Sequence, residues 1–493
     1  MLIKTLPDEI ESYFVDASNY KGQCTAVYFP ETIKEISDIL IEANRNKTHV
    51  TVSGNGTGLT GGRVPEDGIV ISTEKLNNII EINAEEMYAV VQPGVILADF
   101  QAKVKEKNLM YPPDPTEKNC FIGGTVSTNA SGEKTFKYGP TRNYVLELDI
   151  VLQDGDVLKL ARGKQKADGY KLSLITESGR KIEFKLADYK MPEVKNASGY
   201  FCKGNMDAID LFIGSEGTLG VIAKVKLKLV PLPENIISCV VFFDDEQNAL
   251  DFISKARDIS KAANSKLNPA GIEALALEFF DDRSLKFLQD DYPQIPRNVK
   301  AGVWFEQEVT NVNEDKFFEA WMELIKEYRG DEDTAWFAFT DADKKKIQEF
   351  RHFISAKIHE YIAKNNVKNL GTDVAVPDNK FYELYFYAKK KVEEAGLEFV
   401  TYGHFGNSHV HLNMLPKNQT EYDIGTLVYN EICKAAVKLG GTVSAEHGIG
   451  KRKRDYLLDM YGEKVIQQMI EMKKVFDPNL ILSRGNIFKL PDE

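Results

Sequence analysis

Four of the seven histidines of this 493-residue chain fall in two short motifs near its carboxyl end. The first motif, YGHFGNSHVHLN, carries His404, His409 and His411, and the second, SAEHGIGKRKRDYL, carries Glu446 and His447. Two or three imidazoles with one carboxylate form a typical ligand set for Zn, Fe or Mn. Hydrogen-bonded core or surface histidines are the alternative, but three histidines in eight residues beside a Glu-His pair favour a metal site.

The spacing of the first motif predicts how its imidazoles converge. His409 and His411 are two residues apart, so they share one face of a strand. His404 precedes a predicted turn at Gly406, Asn407 and Ser408, from which it could fold back to the same point.

A glycine-rich loop, SGNGTGLTGG (53–62), follows a predicted strand at 49–53 and contains the GxGxxG spacing. A dinucleotide-binding Rossmann loop must open a helix, whereas RVPEDGIVIST here continues into a second strand. The loop therefore joins two strands. Its consecutive glycines and hydroxyls suit a phosphate, and an ordinary glycine-rich hairpin is the alternative.

Two further segments have the composition of backbone that lies against a polar ligand. They are residues 112–143, rich in Gly, Ser, Thr and Asn, and LFIGSEGTLGVI (211–222). Three such loops in one half of the chain indicate one long ligand that contains phosphates.

The elements around these motifs predict an α+β fold. Ile33, Ile36, Ile39, Leu40 and Ala43 form one helical face over 31–46. Strands are predicted at 89–92 and 146–153, with a helix near 95–107 between them. A boundary falls in VPLPEN (230–235); beyond it we predict strands with amphipathic helices, a strand pair over 398–415, and helices at about 421–439 and 463–475.

Composition excludes several classes of protein. A net charge of -12 and a pI near 5.4 argue against nucleic-acid binding. No apolar run is long enough for an integral membrane segment, and no secretory signal is visible. Five scattered cysteines without a CxxC exclude an iron–sulfur cluster and indicate a reducing compartment, so we expect a cytoplasmic protein.

Together, the three loops resemble the FAD-binding half of the vanillyl-alcohol-oxidase/p-cresol-methylhydroxylase (PCMH) flavoprotein superfamily, and the likeness covers essentially the whole chain. The C-terminal half resembles the D-lactate and D-2-hydroxyglutarate dehydrogenase branch, to which glycolate oxidase FAD subunits are also similar. The resemblance implies a PCMH-type FAD-binding domain of two α+β subdomains over 1–235, an α+β cap domain with an antiparallel sheet over 236–415, and a helical segment over 416–493 that completes the active site.

The resemblance also implies which residues bind FAD. No histidine lies in the three loops, and Cys120 is off the position used for covalent tethering, so the FAD is expected to be non-covalent. The implied cofactor-binding residues are Ser53, Gly54, Asn55, Gly56, Thr57, Gly58, Gly61, Gly62, Pro113, Asp114, Gly123, Gly124, Ser127, Asn129, Gly132, Glu216, Gly217 and Ile222.

For the C-terminal motifs, the branch has the pattern GHxGDGNxHxN followed by EHGIG. Mapped by position, it implies that His404, His411 and Glu446 bind a divalent metal, that His447 is the base and that Asn413 contacts the substrate. This chain reads Asn-Ser-His at 407–409 where the pattern has Asp-Gly-Asn. The extra histidine could support the ligands from behind or be a further ligand, which leaves the metal (Zn, Fe or Mn) open.

The substrate carboxylate needs a cation. Arg351 and Ser355 are four residues apart on a predicted helix, a spacing that by itself suits a solvated face, but the resemblance places the pair at the substrate site. Hydroxyglutarate dehydrogenases carry a lysine two residues before the Asp of a DxxxP motif, where this chain has Gly371 before Asp373. Because this chain lacks that second cation, the sequence favours D-lactate as the substrate.

The chemistry implied is oxidation of a small D-2-hydroxy acid. A metal bound to the hydroxyl oxygen lowers its pKa, and a neutral histidine then removes the proton while the flavin takes the hydride. Electrons would leave to a separate acceptor such as an electron-transfer flavoprotein, with a quinone, a cytochrome or O2 as alternatives. Alternative functions are a D-2-hydroxyglutarate or glycolate dehydrogenase and a catalytically silent flavin-binding subunit of a larger complex. A non-redox enzyme like alkylglycerone-phosphate synthase is disfavoured, because no run of consecutive histidines occurs.

Overall fold

Strands and helices alternate along the chain, for which the computed structural model describes residues 1–264 and 272–490. The strands are β1 (Leu2–Lys4), β2 (Ala26–Phe29), β3 (Val50–Ser53), β4 (Ile69–Ser72), β5 (Ile79–Asn83), β6 (Tyr88–Val91), β7 (Leu109–Met110), β8 (Val145–Val151), β9 (Val157–Ala161), β10 (Lys171–Ile175), β11 (Lys181–Lys185), β12 (Val221–Lys228), β13 (Val230–Pro231), β14 (Asn235–Phe243), β15 (Ala274–Asp281), β16 (Ala301–Val309), β17 (Asp331–Ala338), β18 (Leu370–Gly371), β19 (Val374–Ala375), β20 (Phe399–Gly403) and β21 (His409–Met414). The α-helices are α1 (Pro7–Ile10), α2 (Ile33–Asn46), α3 (Leu97–Lys105), α4 (Ile122–Thr128), α5 (Thr135–Tyr138), α6 (Ile209–Phe212), α7 (Glu246–Asn264), α8 (Asp282–Leu288), α9 (Glu314–Glu327), α10 (Asp341–Asn365), α11 (Phe381–Glu394), α12 (Gln419–Lys438), α13 (Arg454–Tyr461) and α14 (Glu463–Phe476).

The chain forms two units, each built from more than one stretch of sequence. The first contains Met1–Ser131, Pro140–Leu232 and Val443–Glu493, and the second contains Gly132–Gly139 and Pro233–Thr442. One of the junctions between the units falls at 232–233. Helix α12 packs on α11 in the second unit, whereas the residues from Val443 onward fold with the first.

In the first unit, β3 and β4 run parallel, as do β2 and β4, and β1 closes the sheet antiparallel to β2. The glycine loop joins β3 to β4 and therefore connects neighbouring parallel strands, which excludes the ordinary hairpin. A second sheet, ordered β5-β6-β12-β8-β9, is antiparallel throughout. The unit thus has the strand-loop-strand arrangement that the sequence predicted.

Helix α2 shows why the apolar repeat was sufficient to predict a helix. The Thr32 side chain accepts a hydrogen bond from the Glu35 N–H, which caps the first turn. The apolar stripe, including Ile36 and Leu40, is buried against the core of the parallel sheet. Lys47 ends the helix in the left-handed conformation, with φ of 55°.

The residues around Leu482 pair with this first sheet. The Val50 N–H donates to the Ile481 carbonyl at 2.8 Å, and the Ser483 N–H donates to the Val50 carbonyl at 2.7 Å. The residues around Leu482 therefore extend β3 on its open side.

The second unit is built on one sheet ordered β17-β14-β16-β15-β20-β21-β18, with β19 also pairing with β21. Helix α10 lies across one face of it. Its buried positions, which include Ile347, Phe350, Arg351, Ile354 and Ile358, follow the helical repeat and pack with strand residues of the same core cluster. This helix and this face carry the polar side chains described below.

Two general features concern the described residues only. All five cysteines lie within them, and none forms a disulfide. No helix in residues 1–264 or 272–490 combines the length and apolar composition needed to cross a membrane.

Candidate active site

The three histidines of the first motif lie on the hairpin of β20 and β21. His404 follows β20, a 3-10 helix over Phe405–Asn407 makes the turn, and His409 and His411 project from the same face of β21. The ring centroids are 5.2 Å apart for His404 and His409, 5.4 Å for His404 and His411, and 4.4 Å for His409 and His411. One nitrogen of each ring lies within 4.8 Å of the other two, so the turn brings all three imidazoles together.

Hydrogen bonds set the tautomers of two of these rings. His411 Nδ1 lies 3.0 Å from the Thr372 carbonyl, which can only accept, so Nδ1 carries the proton. His404 Nδ1 lies 2.6 Å from Glu278 Oε1, and an ionised carboxylate likewise only accepts. In the neutral form of either ring the lone pair belongs to Nε2, and a backing acceptor of this kind is what a metal-binding histidine normally has.

Glu278 joins this histidine to a buried arginine. It lies on β15, is 1% exposed, and accepts from Arg351 Nε at 2.7 Å through its second oxygen. Burial opposes ionisation, but the charges of His404 and Arg351 prevail and hold the pKa of the Glu278 carboxyl below its usual value. One carboxylate therefore positions both a candidate metal ligand and a cation.

Arg351 itself is 1% exposed, so the solvated-face interpretation of the Arg351 and Ser355 pair is wrong. Burial would lower the pKa of the guanidinium, but the carboxylates of Glu278 and Glu133 reverse this and raise it. Its charge lies over the ring of Tyr402, 5.1 Å from the centroid, and the Tyr402 hydroxyl is 3.0 Å from the Ser355 hydroxyl. Within the described residues, the terminal nitrogens of Arg351 donate to no protein acceptor in a hydrogen bond, which leaves a fork that fits a carboxylate.

Asn413 lies on the same face of β21 as His409 and His411 and is 5% exposed. Gly371 pairs with it across the strands. A Cβ at Gly371 would collide with the Asn413 Oδ1 atom. The position where the related hydroxyglutarate enzymes carry lysine therefore has no room for a side chain while Asn413 keeps this rotamer.

The departures from the motif are accommodated in the turn. Ser408 takes the place of a glycine and is left-handed, with φ of 52°. Its hydroxyl accepts from Arg257 Nη1 at 3.0 Å and donates to Asp378 Oδ1 at 2.7 Å, which offsets the conformational cost. His409 is fully buried, with Nε2 3.0 Å from the carboxylate of Asp373, which is also fully buried.

In the first unit, Glu446 and His447 are adjacent, with His447 Nε2 3.6 Å from Glu446 Oε1. The other Glu446 oxygen lies 2.6 Å from Lys195 Nζ and accepts from the Ser131 hydroxyl at 3.1 Å. The His447 side chain is 25% exposed, whereas that of Glu446 is 10% exposed. The carboxylate is thus fixed by a cation and a hydroxyl while the imidazole keeps access to solvent.

The glycine loop is held from behind by two charged side chains. Asp16 is buried and accepts from the Gly61 N–H at 2.9 Å, and Arg63 donates to the Gly54 carbonyl at 3.0 Å. Gly56 and Gly61 have φ of 80° and 78°, which side chains disfavour. These two hydrogen bonds therefore support the conformation of the loop.

Several predicted FAD contacts border open space. Around Gly124 no protein atom lies within 4 Å of an added Cβ, and at Gly54 and Gly58 the nearest atoms are 4.0 and 3.9 Å away. Backbone that is not covered by its own protein is what a phosphate or flavin edge approaches closely. The residues present thus fit FAD, and these three glycines would hold it together with Asn55, Thr57 and Gly62.

Other predicted FAD residues have structural contacts of their own. A Cβ at Gly123 would lie 2.5 Å from Pro93, Asn129 accepts from the Arg142 N–H at 2.9 Å, and Asp114 forms an ion pair with Lys118. These side chains and close approaches shape the loops. The remaining predicted residues of the first unit lie in its loops or at the elements beside them, namely Ser53 in β3, Ser127 in α4, Ile222 in β12, and Pro113 and Gly217 outside helices and strands. Gly132 belongs to the second unit.

Glu216 has a role that the sequence did not indicate. Its carboxylate accepts from the N–H groups of Ile449 and Gly450, both at 2.7 Å, and so holds the loop that follows His447. Burial raises the pKa of Glu216 to about 7, against the lowering effect of these N–H groups and of Lys451. Glu216 therefore links the SEGTLG loop to the second histidine motif.

Asn486 joins the same network from the tail of the chain. Its amide donates to the carbonyls of Gly62 and Glu216 at 2.7 and 3.0 Å and accepts from Lys451 Nζ at 2.7 Å. Burial lowers the pKa of Lys451 to about 8. Three loops and the tail are thus tied together by buried polar groups.

Cys120 is buried, and burial raises the pKa of its thiol to about 12. A thiol that stays protonated is a poor nucleophile. This supports the expectation that Cys120 forms no covalent bond to flavin.

Sequence reasoning missed Glu278, Lys195 and Asn486. Glu278 had a signal, because it is a charged residue with apolar neighbours on both sides in the strand ALALEFFD. Lys195 and Asn486 lie in irregular segments where no periodicity marks them.

Residues 24–161 match the family described as FAD binding domain, and residues 232–487 match the C-terminal domain of FAD linked oxidases. The chain is 30% identical over 483 residues to the glycolate oxidase subunit GlcD of Bacillus subtilis, covering 97% of this chain and 92% of that one. It is 31% identical over 462 residues to a D-lactate dehydrogenase of Anaerostipes hadrus, covering 92% and 87%. A solved alkyldihydroxyacetonephosphate synthase has a TM-score of 0.66 at 14% identity, covering 98% of this chain and 82% of that one, which shows the shared fold.

Proposed function

Since this chain belongs to the PCMH/VAO family of FAD-linked oxidoreductases, we propose that it oxidises a small D-2-hydroxy acid, D-lactate to pyruvate, with non-covalent FAD and a divalent metal. The observation that carries the substrate class is Glu278, which holds both His404 and Arg351. A 2-hydroxy acid carries its hydroxyl on the carbon next to its carboxylate. A metal ligand and a carboxylate-binding cation on one buried residue match that spacing.

Each side chain has a role in this proposal. Arg351 binds the substrate carboxylate through its terminal nitrogens, and Ser355 and Tyr402 hold that side of the substrate. Asn413 donates to the substrate, and His447, which keeps solvent access, takes the hydroxyl proton as a neutral imidazole.

The bound groups supply the remaining chemistry. When bound, a divalent metal, for which His404, His411 and Glu446 are the proposed ligands, would supply the Lewis acid for the substrate hydroxyl, and FAD would supply the hydride acceptor.

D-Lactate is favoured over D-2-hydroxyglutarate because the second cation is missing. Gly371 stands where a lysine would meet a distal carboxylate, and a side chain there would collide with Asn413 in its present rotamer. D-Lactate has a methyl group at that end, which needs no cation. The absence of iron–sulfur and haem motifs in the sequence leads us to propose a separate electron acceptor, such as an electron-transfer flavoprotein.

The test is anaerobic reduction of the flavin in metal-replete enzyme. D-Lactate, L-lactate, glycolate and D-2-hydroxyglutarate are mixed with it in turn, and loss of the visible flavin band is followed by stopped flow. We expect fast bleaching with D-lactate alone. His447→Ala should slow it by roughly 10²–10⁴-fold, the usual contribution of a general base, and a chelator should slow it as well.

His359→Ala is the matched control, because His359 is an exposed residue of α10. Bleaching by glycolate or D-2-hydroxyglutarate instead would keep the chemistry and change the substrate. No bleaching by any acid, in protein that holds FAD and metal, would overturn the proposal and favour a silent flavin-binding subunit.

A further inference from the structure

His409 occupies the position at which this chain departs from the motif, and it lies among the metal-binding candidates. Its ring centroid is 4.4 Å from that of His411 and 5.2 Å from that of His404. A nitrogen of each ring lies within 4.8 Å of the others. The three imidazoles therefore form a group that could hold one metal ion, and the histidine nitrogen is a usual zinc ligand.

The ring has no route to solvent. His409 is fully buried, and β21 is paired with β20 on one side and with β18 and β19 on the other, with His409 opposite Ala375. Its N–H donates to the His404 carbonyl at 3.3 Å, which ties the two residues across the turn. The imidazole therefore stays in the cluster.

The surroundings also suit a cation. The carboxylate of Asp373 is fully buried and lies 3.0 Å from His409 Nε2. A carboxylate oxygen of Asp373 is also within 4.8 Å of a His411 nitrogen. Imidazole and carboxylate groups are the donor types that Zn and Fe prefer, and here they lie together in the protein interior.

We infer that His409 is a third imidazole ligand of the metal in this chain, with Asp373 balancing the charge of the ion; the inference rests on the metal-assisted oxidation proposed above. A set with three imidazoles favours Zn or Fe over Mn, which prefers carboxylate and water oxygens. The extra histidine thus changes which metal the enzyme selects.

The experiment counts imidazoles on the metal in the full-length holoenzyme. X-ray absorption at the zinc edge of Zn-loaded protein should give three imidazole ligands, and His409→Asn should give two. Zinc affinity, measured by competition with a chromophoric chelator, should fall by about tenfold or more in His409→Asn, as the loss of a ligand or its support costs. His359→Asn, on the exposed side of α10, should leave both readouts unchanged.

Two imidazoles on zinc in the wild-type protein would overturn the inference, and this result does not depend on the variant folding. Unchanged zinc affinity in His409→Asn would also overturn it. If the wild-type enzyme oxidised D-lactate without any metal, both this inference and the metal in the proposed function would fail. Two imidazoles with metal-dependent turnover would overturn the third ligand alone.

Discussion

Glu278 illustrates how one residue inside a strand can organise a site. A buried carboxylate is stable only when opposite charge and hydrogen bonds compensate its desolvation, and here His404 and Arg351 provide both. Each partner is in turn buried and depends on the same carboxylate. Loss of the charge at Glu278 therefore affects all three groups together.

We predict that Glu278→Gln weakens metal binding by roughly 10–100-fold, because the neutral amide orients the His404 ring less firmly than the carboxylate does. It should also lower the free energy of unfolding by about 3 kcal/mol, since the buried Arg351 loses the carboxylate to which its Nε donates. Chelator competition and urea denaturation measure the two effects.

Glu246→Gln is the control, since Glu246 forms a comparable pair with Lys389 and Tyr385 in the same unit. It should lose some stability but keep its metal affinity. Equal metal affinity in Glu278→Gln and wild type would contradict the positioning role.

For single residues, the sequence could predict which histidines cluster, but it could not predict which distant residue holds them in place. His404, His409 and His411 come together because a short hairpin brings near neighbours face to face, and spacing alone encodes that. Glu278 is 126 residues from His404 along the chain. Only the order of strands in the sheet puts them together, and no local pattern carries that information.

Two loops of the first unit pack backbone to backbone, and this contact requires a residue without a side chain at position 450. The Lys451 N–H donates to the Thr60 carbonyl at 2.8 Å, and a Cβ at Gly450 would collide with that same carbonyl. Gly450 also has φ of 50°. The glycine loop and the loop after His447 therefore fix each other's position.

Gly450→Ala should cost more than the roughly 1–2 kcal/mol of a left-handed alanine, because the two loops must also separate. Gly169→Ala is the matched control, with φ of 57° and no atom within 4 Å of the added carbon. Urea denaturation and the FAD content after gel filtration compare the two. If both variants lost the same stability and kept FAD, loop packing would not be the reason for Gly450.

The Glu216 contact gives the same loops a pH dependence. The pKa of Glu216 is raised from 4.5 to about 7 in the folded protein, so the stability from this group is complete below pH 4.5 and declines as pH rises through 7. We expect Glu216→Gln to remove up to roughly 3 kcal/mol of the difference in unfolding free energy between pH 4.5 and 7.5. Urea denaturation of the holoprotein at both values tests this.

Glu42→Gln, at an exposed carboxylate of α2, should leave that pH difference unchanged. A Glu216→Gln protein with the full wild-type pH dependence would refute the assignment to Glu216.

Elements with their own periodicity were predicted well. The bounds of α2, β20 and β21 agree with the sequence within a few residues, because caps and alternation are local. The segment around Leu482 was predicted only as a tail. Its pairing with β3 depends on a strand more than 400 residues away, which no window of sequence contains.

At the scale of the molecule, Asn486 connects residues that are far apart in sequence, namely Gly62, Glu216 and Lys451. Asn486→Ala removes three buried hydrogen bonds and should lower the unfolding free energy by roughly 2–3 kcal/mol. It should also speed FAD release on heating, followed by flavin fluorescence. Asn479→Ala, which loses an exposed contact with Asn44, is the control, and an equal effect of both would contradict the prediction.

The division into units also shows which features of domain organisation the sequence could not predict. The boundary near 232 was predicted because two prolines follow a strand. The sequence did not predict that the residues from Val443 onward fold with the first unit, because long-range contacts such as those of Asn486 determine this. Composition along the chain does not change at Val443.

The split first unit has a consequence for biosynthesis. The strand partner of Val50 leaves the ribosome only after the intervening residues 233–442 have been translated. At 5–20 residues per second those roughly 210 residues take about 10–40 s. During that time the open side of β3 and the glycine loop lack their covering segment. The nascent chain should therefore recruit chaperones while the second unit is still being made, and should acquire FAD only after the residues around Leu482 have been translated.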